Sequence, residues 1–536
     1  MPSPAPITSE RKWISIVRVP VPTLPTRLPE ISVADRQRRG VPVVRLVRAA
    51  DDEADAADST GSTENPGAAG AASGEPGEAG ASGLWTPRQV PAEWTPGGAL
   101  TGKAGEVHAL GNPARWLLGI GSDPHKPSAW RTAGGALARA VDADLAKRAG
   151  SVSRTQRSLQ VSLPADLPEE CVRAFVFGVA LGGYRFAVTG ERAKPSLHGV
   201  VLLGAQELAE QVTEAARLAA ATALARDLAN SPSNVKDPAW LAGTAERVAR
   251  DVPGLRVTVR DENWLAEHKF GGILAVGGGS TRPPRLIELA YRPRNASAHL
   301  LLVGKGITFD TGGLSIKPVD GMHLMRTDMS GGAAVIAAVR AIAQAKVPVR
   351  VTGLVPAAEN HVSGSSYRPG DVVRHYGGTT TEVGNTDAEG RMVLADALAY
   401  GVEKFRPDVV VDVATLTGAI KVALGLRHGA VFANDDELAE RVRSAGERVG
   451  EAWWRMPLIE DHADAVRSEI ADVRQAPEGP GGVTAALFLR EFVGGLPWAH
   501  LDIAGAARAD KPYDDVTPGG TGFAARTLVE FAAGYA

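Results

Sequence analysis

Four runs of nearly unbroken apolar residues, at 299–303, 349–355, 409–413 and 500–503, constrain this chain more than any other feature. A strand with one face in water alternates apolar and polar side chains. A run without alternation belongs to a strand covered on both faces. Helical patterns lie between and after these runs, at 332–345, 388–405, 437–449, 483–493 and 523–535. Together they predict an α/β fold whose larger C-terminal domain, 233–536, has a mostly parallel central sheet covered by helices. In such a sheet, chemistry collects just past the strand ends, where the chain leaves the core.

With 536 residues there is room for about two to four domains. Short strand-like segments at 13–19, 43–47, 116–120, 159–163 and 199–203, with helical patterns at 129–149 and 168–183, predict a smaller N-terminal α/β domain. Its main part is 84–205, and the segment 1–50 belongs with it. An Ala-rich helical run, 206–232, closes on Asn230-Ser231-Pro232 and links the two domains. Residues 51–83 contain only Ala, Gly, Ser, Thr, Pro, Asn, Asp and Glu. Such a stretch buries too little apolar surface to offset chain entropy and reads as a disordered acidic insertion. It holds eight acidic residues and no Lys or Arg, which leaves the rest near +5 against a total of −3.

That balance gives no strong footprint for nucleic acid or an anionic membrane. The single cysteine, Cys171, rules out an intrachain disulfide and a Cys-rich zinc site, and it reads as a half-buried small residue. No apolar run reaches the roughly 18 residues of a membrane span, and no signal peptide is evident at the N-terminus. The expectation is a cytoplasmic protein that does not enter a membrane.

Three glycine-rich polar clusters interrupt the apolar pattern. The first runs from Gly304-Lys305-Gly306 through Asp310-Thr311-Gly312-Gly313 to Lys317. The second is Met325-Arg326-Thr327-Asp328-Met329-Ser330-Gly331-Gly332. The third is Gly384-Asn385-Thr386-Asp387-Ala388-Glu389-Gly390-Arg391. Glycines let backbone approach a small ligand closely. Four converging carboxylates (Asp310, Asp328, Asp387, Glu389) would repel one another unless cations neutralise them, and oxygen-rich sets suit divalent ions. Each residue has an ordinary alternative. Asp387 and Asp328 precede helical patterns and suit N-caps. Lys305 suits an exposed surface and Met325 plain core packing. Capping alone explains too little of a pattern that also brings in two lysines and an arginine.

The run Asn385-Thr386-Asp387-Ala388-Glu389-Gly390-Arg391 matches the signature of the leucyl (cytosol) aminopeptidase family, and the other two clusters match its metal-binding motifs in order and spacing. The resemblance covers about 225–536, including Asp412-Val413-Ala414-Thr415-Leu416-Thr417-Gly418 and Leu501-Asp502-Ile503-Ala504-Gly505, and extends loosely over 85–205. It implies a hexameric metallo-exopeptidase that releases N-terminal Leu and other mainly apolar residues from peptides, with 233–536 as the catalytic domain. By motif, two divalent ions, manganese or zinc, are held by Lys305, Asp310, Asp328, Asp387 and Glu389. Asp310 and Glu389 bridge, Asp387 completes the tighter site, and Lys305 with Asp328 completes the more exchangeable one. Lys317 stabilises the oxyanion, and Arg391 holds a bicarbonate that serves as general base. Met325, Thr415, Leu416 and Gly418 resemble the wall for the first side chain, and Lys317 and Asp328 also meet substrate. Thr311, Gly332 and Met392 depart mildly from the pattern, and none is a ligand.

Two rival readings remain at this stage. A two-metal phosphatase uses similar ion pairs, but the lysine ligand and the full signature argue against it. A DNA-binding accessory role finds only the short basic cluster Arg36-Gln37-Arg38-Arg39, beside an acidic stretch that would repel phosphate. The near P-loop at 97–104 lacks the Ser or Thr that holds magnesium.

Overall fold

The computed structural model describes residues 24–50, 84–111, 115–148, 152–188 and 196–536. The strand expected at 13–19 and the acidic stretch 51–83 lie outside these residues.

The N-terminal part forms a six-stranded sheet from β1 (Glu30–Ala34), β2 (Val43–Val47), β3 (Val107–Leu110), β4 (Arg115–Gly119), β5 (Ser158–Ser162) and β6 (Gly199–Leu203), in the order β1-β6-β5-β2-β4-β3. All pairings are parallel except β3 with β4. Helices α1 (Pro127–Lys147) and α2 (Glu169–Gly182) pack on each other, glycine against glycine: a Cβ on Gly134 would lie 2.7 Å from the Phe175 carbonyl oxygen. Cys171, expected half-buried, is fully buried in α2, because this helix is covered on nearly every side. Burial pushes its thiol up to about 12, so it is no nucleophile.

Helix α3 (Ala209–Asn230) packs against α2 and also against helices of the C-terminal part. That two-sided contact explains its Ala-rich sequence, which offers small side chains around the whole circumference rather than one apolar stripe.

The C-terminal sheet has nine strands. They are β7 (Leu255–Arg260), β8 (Arg285–Tyr291), β9 (His299–Gly304), β10 (Gly306–Asp310), β11 (Arg350–Asn360), β12 (Val409–Ala414), β13 (His428–Ala433), β14 (Ala452–Arg455) and β15 (Trp498–Asp502). The order is β14-β13-β15-β12-β9-β11-β8-β7, with β10 also on β11. The centre β15-β12-β9-β11 is parallel, and antiparallel pairs occur only toward the edges. Alternation along β9 shows both faces in use. Leu300 and Leu302 join the core around α4 (Ser330–Ala345), while Leu301 and Val303 join the core around α5 (Glu389–Phe405). Each such side chain contributes roughly 1.5–3 kcal/mol by burial.

β11 runs to Asn360, five residues beyond the expected end, because β9 and β10 pair with it in succession. The outer strands β7, β8 and β14 lack a long unbroken apolar signal, whereas β13, inside the sheet, carries the short run Gly-Ala-Val-Phe-Ala that sequence reading missed as a strand. β7, for example, reads Leu-Arg-Val-Thr-Val-Arg, with Arg256 and Arg260 set among its apolar residues. The last helix is shorter than expected (Ala525–Ala533), as is the one expected to reach residue 493, which spans Gly481–Arg490. No helix among the described residues is long and apolar enough to cross a membrane.

Candidate metal centre

The carboxyl ends of the central parallel strands converge on one place. Lys305 fills the step between β9 and β10. Its N–H donates to the Val413 carbonyl (3.0 Å), and its carbonyl accepts from Gly332 N (2.8 Å). The strand exit and the start of α4 therefore fix this residue from both sides. Glycine makes the approach possible: a Cβ on Gly331 would sit 2.0 Å from the Val413 carbonyl oxygen.

Asp310 ends β10, opposite Asn360 at the end of β11. Asp328 lies two residues before α4, and Glu389 opens α5. Asp387 does not cap α5, nor Asp328 α4: the N-cap positions are Ala388 and Met329, with no side-chain cap bond. Both carboxylates are thus free for the site, and both helices direct an N-terminus, which favours negative charge, toward it.

Lys305 is 2% exposed, which removes the surface-lysine reading. Its Nζ donates to Asp328 Oδ1 (2.9 Å) and the Thr415 carbonyl (3.0 Å) and pairs with Glu389 Oε1 (2.8 Å). Lys317 Nζ pairs with Asp310 Oδ2 (2.8 Å) and Asp387 Oδ1 (2.5 Å). Burial acts to lower both lysine pKa values, but the surrounding carboxylates override it and hold both ammonium groups above the ordinary range. Burial also raises the carboxyls of Asp310, Asp328 and Asp387, and Glu389 adds repulsion at Asp310 and Asp328. Lys305 and Lys317 act in the opposite direction on all three.

The residues fit divalent ions. Asp310, Asp387 and Glu389 each bring one carboxylate oxygen within 4.8 Å of the others. Glu389 Oε2 is buried and has no hydrogen-bond partner among the described residues. A buried, unpaired carboxylate oxygen is costly without a cation.

Arg391 is buried. Its Nη1 donates to the Gln475 carbonyl (2.6 Å), and its Nε has no partner among the described residues. Burial lowers its pKa to about 10. Thr415 donates Oγ1 to Asp328 Oδ1 (2.8 Å). The N–H groups of Leu416 and Thr417 donate to the buried Asp502 carboxylate (3.2 and 3.0 Å), which fixes this strand exit. Met325 is half-buried on the 3-10 turn His323–Thr327, and Gly418 is exposed at the start of the helix Gly418–Leu424. The sequence-predicted residues thus gather at one end of the sheet, with Gly418 at the rim.

Two side chains that sequence reading missed hold this arrangement. Asn360 Nδ2 donates to Asp310 Oδ1 (2.8 Å) and the Thr386 carbonyl (3.0 Å), joining the first cluster to the third. Gln475 Oε1 accepts from Gly384 N and Asn385 N (both 3.1 Å), and its Nε2 donates to the Ala388 carbonyl (3.1 Å). Neither has a local pattern. The only signal for Asn360 is the polar pair Glu359-Asn360 closing a mostly apolar strand.

Comparison with known proteins identifies similar chains. The description "cytosol aminopeptidase family, catalytic domain" matches residues 223–529. A probable cytosol aminopeptidase of Desulfotalea psychrophila is 41% identical over 428 residues, 77% of this chain and 84% of the relative. One from Roseiflexus castenholzii is 46% identical over 381 residues, 69% of this chain and 77% of the relative. Among solved structures, the bottromycin maturation enzyme BotP in complex with Mn is 41% identical with a TM-score of 0.74, covering 81% of this chain and 94% of that one.

Proposed function

Because the chain belongs to the cytosol aminopeptidase family, and is accordingly a metal-dependent exopeptidase acting on peptides, we propose that Lys305, Asp310, Asp328, Asp387 and Glu389 hold two divalent ions against the N-terminal residue of a substrate. The observation that carries this reading is the convergence of four carboxylates and two lysines, from three separate segments, at the ends of parallel strands. By family resemblance Asp310 and Glu389 would serve both ions, Asp387 would complete the tighter site, and Lys305 and Asp328 the more exchangeable one. Lys305 ligates only as a neutral amine, so its proton leaves when a cation enters. Manganese or zinc suits this set, and the manganese in BotP supports the former. Such ions supply Lewis-acid polarisation of the scissile carbonyl and lower the pKa of a water toward 7.

The remaining work falls to the chain's own side chains. Lys317, paired with Asp310 and Asp387, keeps 19% of its side chain exposed, so it can donate to the carbonyl oxygen as that oxygen gains charge. The unpartnered Nε of Arg391 supports the bicarbonate that family resemblance assigns there. Met325, Thr415, Leu416 and Gly418 wall the first side chain, and the apolar Met325 and Leu416 suit Leu and similar residues. Resemblance also gives a cytoplasmic homohexamer, which a stable, active monomer in sedimentation would contradict.

The test is hydrolysis of leucine, alanine and glutamate p-nitroanilides with and without chelator, beside p-nitrophenyl phosphate. Chelator-sensitive release, fastest from leucine, is expected. Preference for the phosphate ester would replace this reading with the phosphatase one.

A further inference from the structure

Lys236 takes no part in the site described above. It is fully buried, on the short segment that leaves α3. Its Nζ has three donors and three acceptors, all main-chain carbonyls: Leu228 (2.9 Å), Ala229 (2.8 Å) and Arg326 (2.5 Å). The first two are last-turn carbonyls of α3, groups that a helix leaves without internal partners. The third belongs to the turn His323–Thr327, which carries Met325 and ends one residue before Asp328. No carboxylate pairs with Lys236 among the described residues. Burying an ammonium is costly, and a neutral side chain would cap α3 at less cost. What the ammonium adds is a third donor that joins two separate pieces of backbone.

The same segment is tied to the other side of the metal centre. Arg282 Nη1 donates to the Ser233 carbonyl (3.1 Å) and to Glu359 Oε1 (3.1 Å). Glu359 precedes Asn360, which holds Asp310. Residues 231–237 are therefore bonded directly to the turn before Asp328, through Lys236, and reach Asp310 only indirectly, through Arg282, Glu359 and Asn360. Asp328 depends more on such help. It caps the C-terminus of a 3-10 turn rather than lying on a strand, where Asp310 ends a strand paired with β11.

We propose that Lys236 is a positioning residue that sets the affinity of the exchangeable ion site, by fixing the turn that presents Asp328 to the end of α3. The proposal rests on the two-ion reading above. It differs from a general stabilising role, which would lower the melting temperature without separating the two ion sites. Loss of an outer partner of a metal ligand costs about 10- to 100-fold in affinity.

The full-length chain, dialysed against chelator, is titrated with Mn²⁺ by calorimetry as wild type, Lys236→Met and Lys236→Gln. Methionine is one atom shorter, of similar volume, and removes all three donors; glutamine, also one atom shorter, keeps two donors and adds an acceptor. The weaker dissociation constant should rise about 10- to 100-fold in Lys236→Met and recover in part in Lys236→Gln, while the tighter constant stays within about two-fold. Equal shifts of both constants, or no shift whatever the loss in melting temperature, would overturn the proposal. If Lys236→Met does not fold, Lys236→Gln is judged by the same two constants. A wild type that takes up no Mn²⁺ would instead overturn the two-ion reading, and this proposal with it.

Discussion

The two lysines of the metal centre differ in what surrounds them. Lys305 is enclosed by Asp328, Glu389 and the Thr415 carbonyl, whereas Lys317 keeps an exposed side. Their alanine variants should therefore fail differently. Lys305→Ala should lose affinity for one ion and recover in part at high manganese. Lys317→Ala should keep its ions and lose about 10²- to 10³-fold in kcat, as expected for one donor to an oxyanion. Steady-state kinetics beside elemental analysis reads both, and loss of metal from Lys317→Ala alone would reverse the assignment. A second residue sets an acid limit on stability. Burial lowers His299 to about 4, where its Nε2 lies 2.9 Å from Thr352 Oγ1. The unfolded chain then takes up this proton first as pH falls. The stability from neutral His299 is full above about pH 6.5 and is lost on the way down to about 4. Between pH 7 and 5 the wild type should lose about 2 kcal/mol more than His299→Gln, read from urea midpoints. The residues proposed as ligands could be picked out because each lies in a glycine-rich interruption of an apolar pattern. Asn360, Gln475 and Lys236 were not, because their partners are distant in sequence: Asp310 for Asn360, Ala388 for Gln475 and Arg326 for Lys236.

Among elements, the central strands were legible and the edges were not, for one reason. Burial on both faces leaves β9 and β12 one polar residue each, His299 and Asp412, while β7 alternates Arg256, Thr258 and Arg260 with apolar residues. The starts of α4 and α5 were legible only to within two residues, since neither Asp328 nor Asp387 takes the N-cap position. The start of α5 offers a sharp test. A Cβ on Gly390 would meet Lys305 Cε at 2.6 Å and Nζ at 2.8 Å, the far end of a flexible side chain. Gly390→Ala should therefore fold with a melting temperature close to wild type while pushing Lys305 aside. Its manganese dependence should resemble that of Lys305→Ala. Normal metal affinity in a folded Gly390→Ala would show that Lys305 is not confined as described.

For the whole molecule, the N-terminal and C-terminal parts share a continuous apolar core through α3, reinforced where Arg173 Nη2 meets Glu530 Oε2 at 3.0 Å. Residues 51–83 lack the apolar side chains to join such a core. Replacing them with a short Gly-Ser join should leave turnover within a few-fold; a drop of about two orders of magnitude with the fold intact would assign them an ordered role. The two-part α/β architecture was legible in the apolar runs. The packing of α3 on both parts was not, because an Ala-rich helix carries no directional stripe. The central claim is that the strand ends form a two-ion site which runs the peptidase. The most direct test is the number of ions per chain, measured with peptide hydrolysis on the same samples of wild type and Asp310→Asn. The account predicts two ions and chelator-sensitive release of N-terminal leucine in wild type, and at most one ion with turnover nearly abolished in Asp310→Asn. Two ions and near-normal turnover in Asp310→Asn would contradict it.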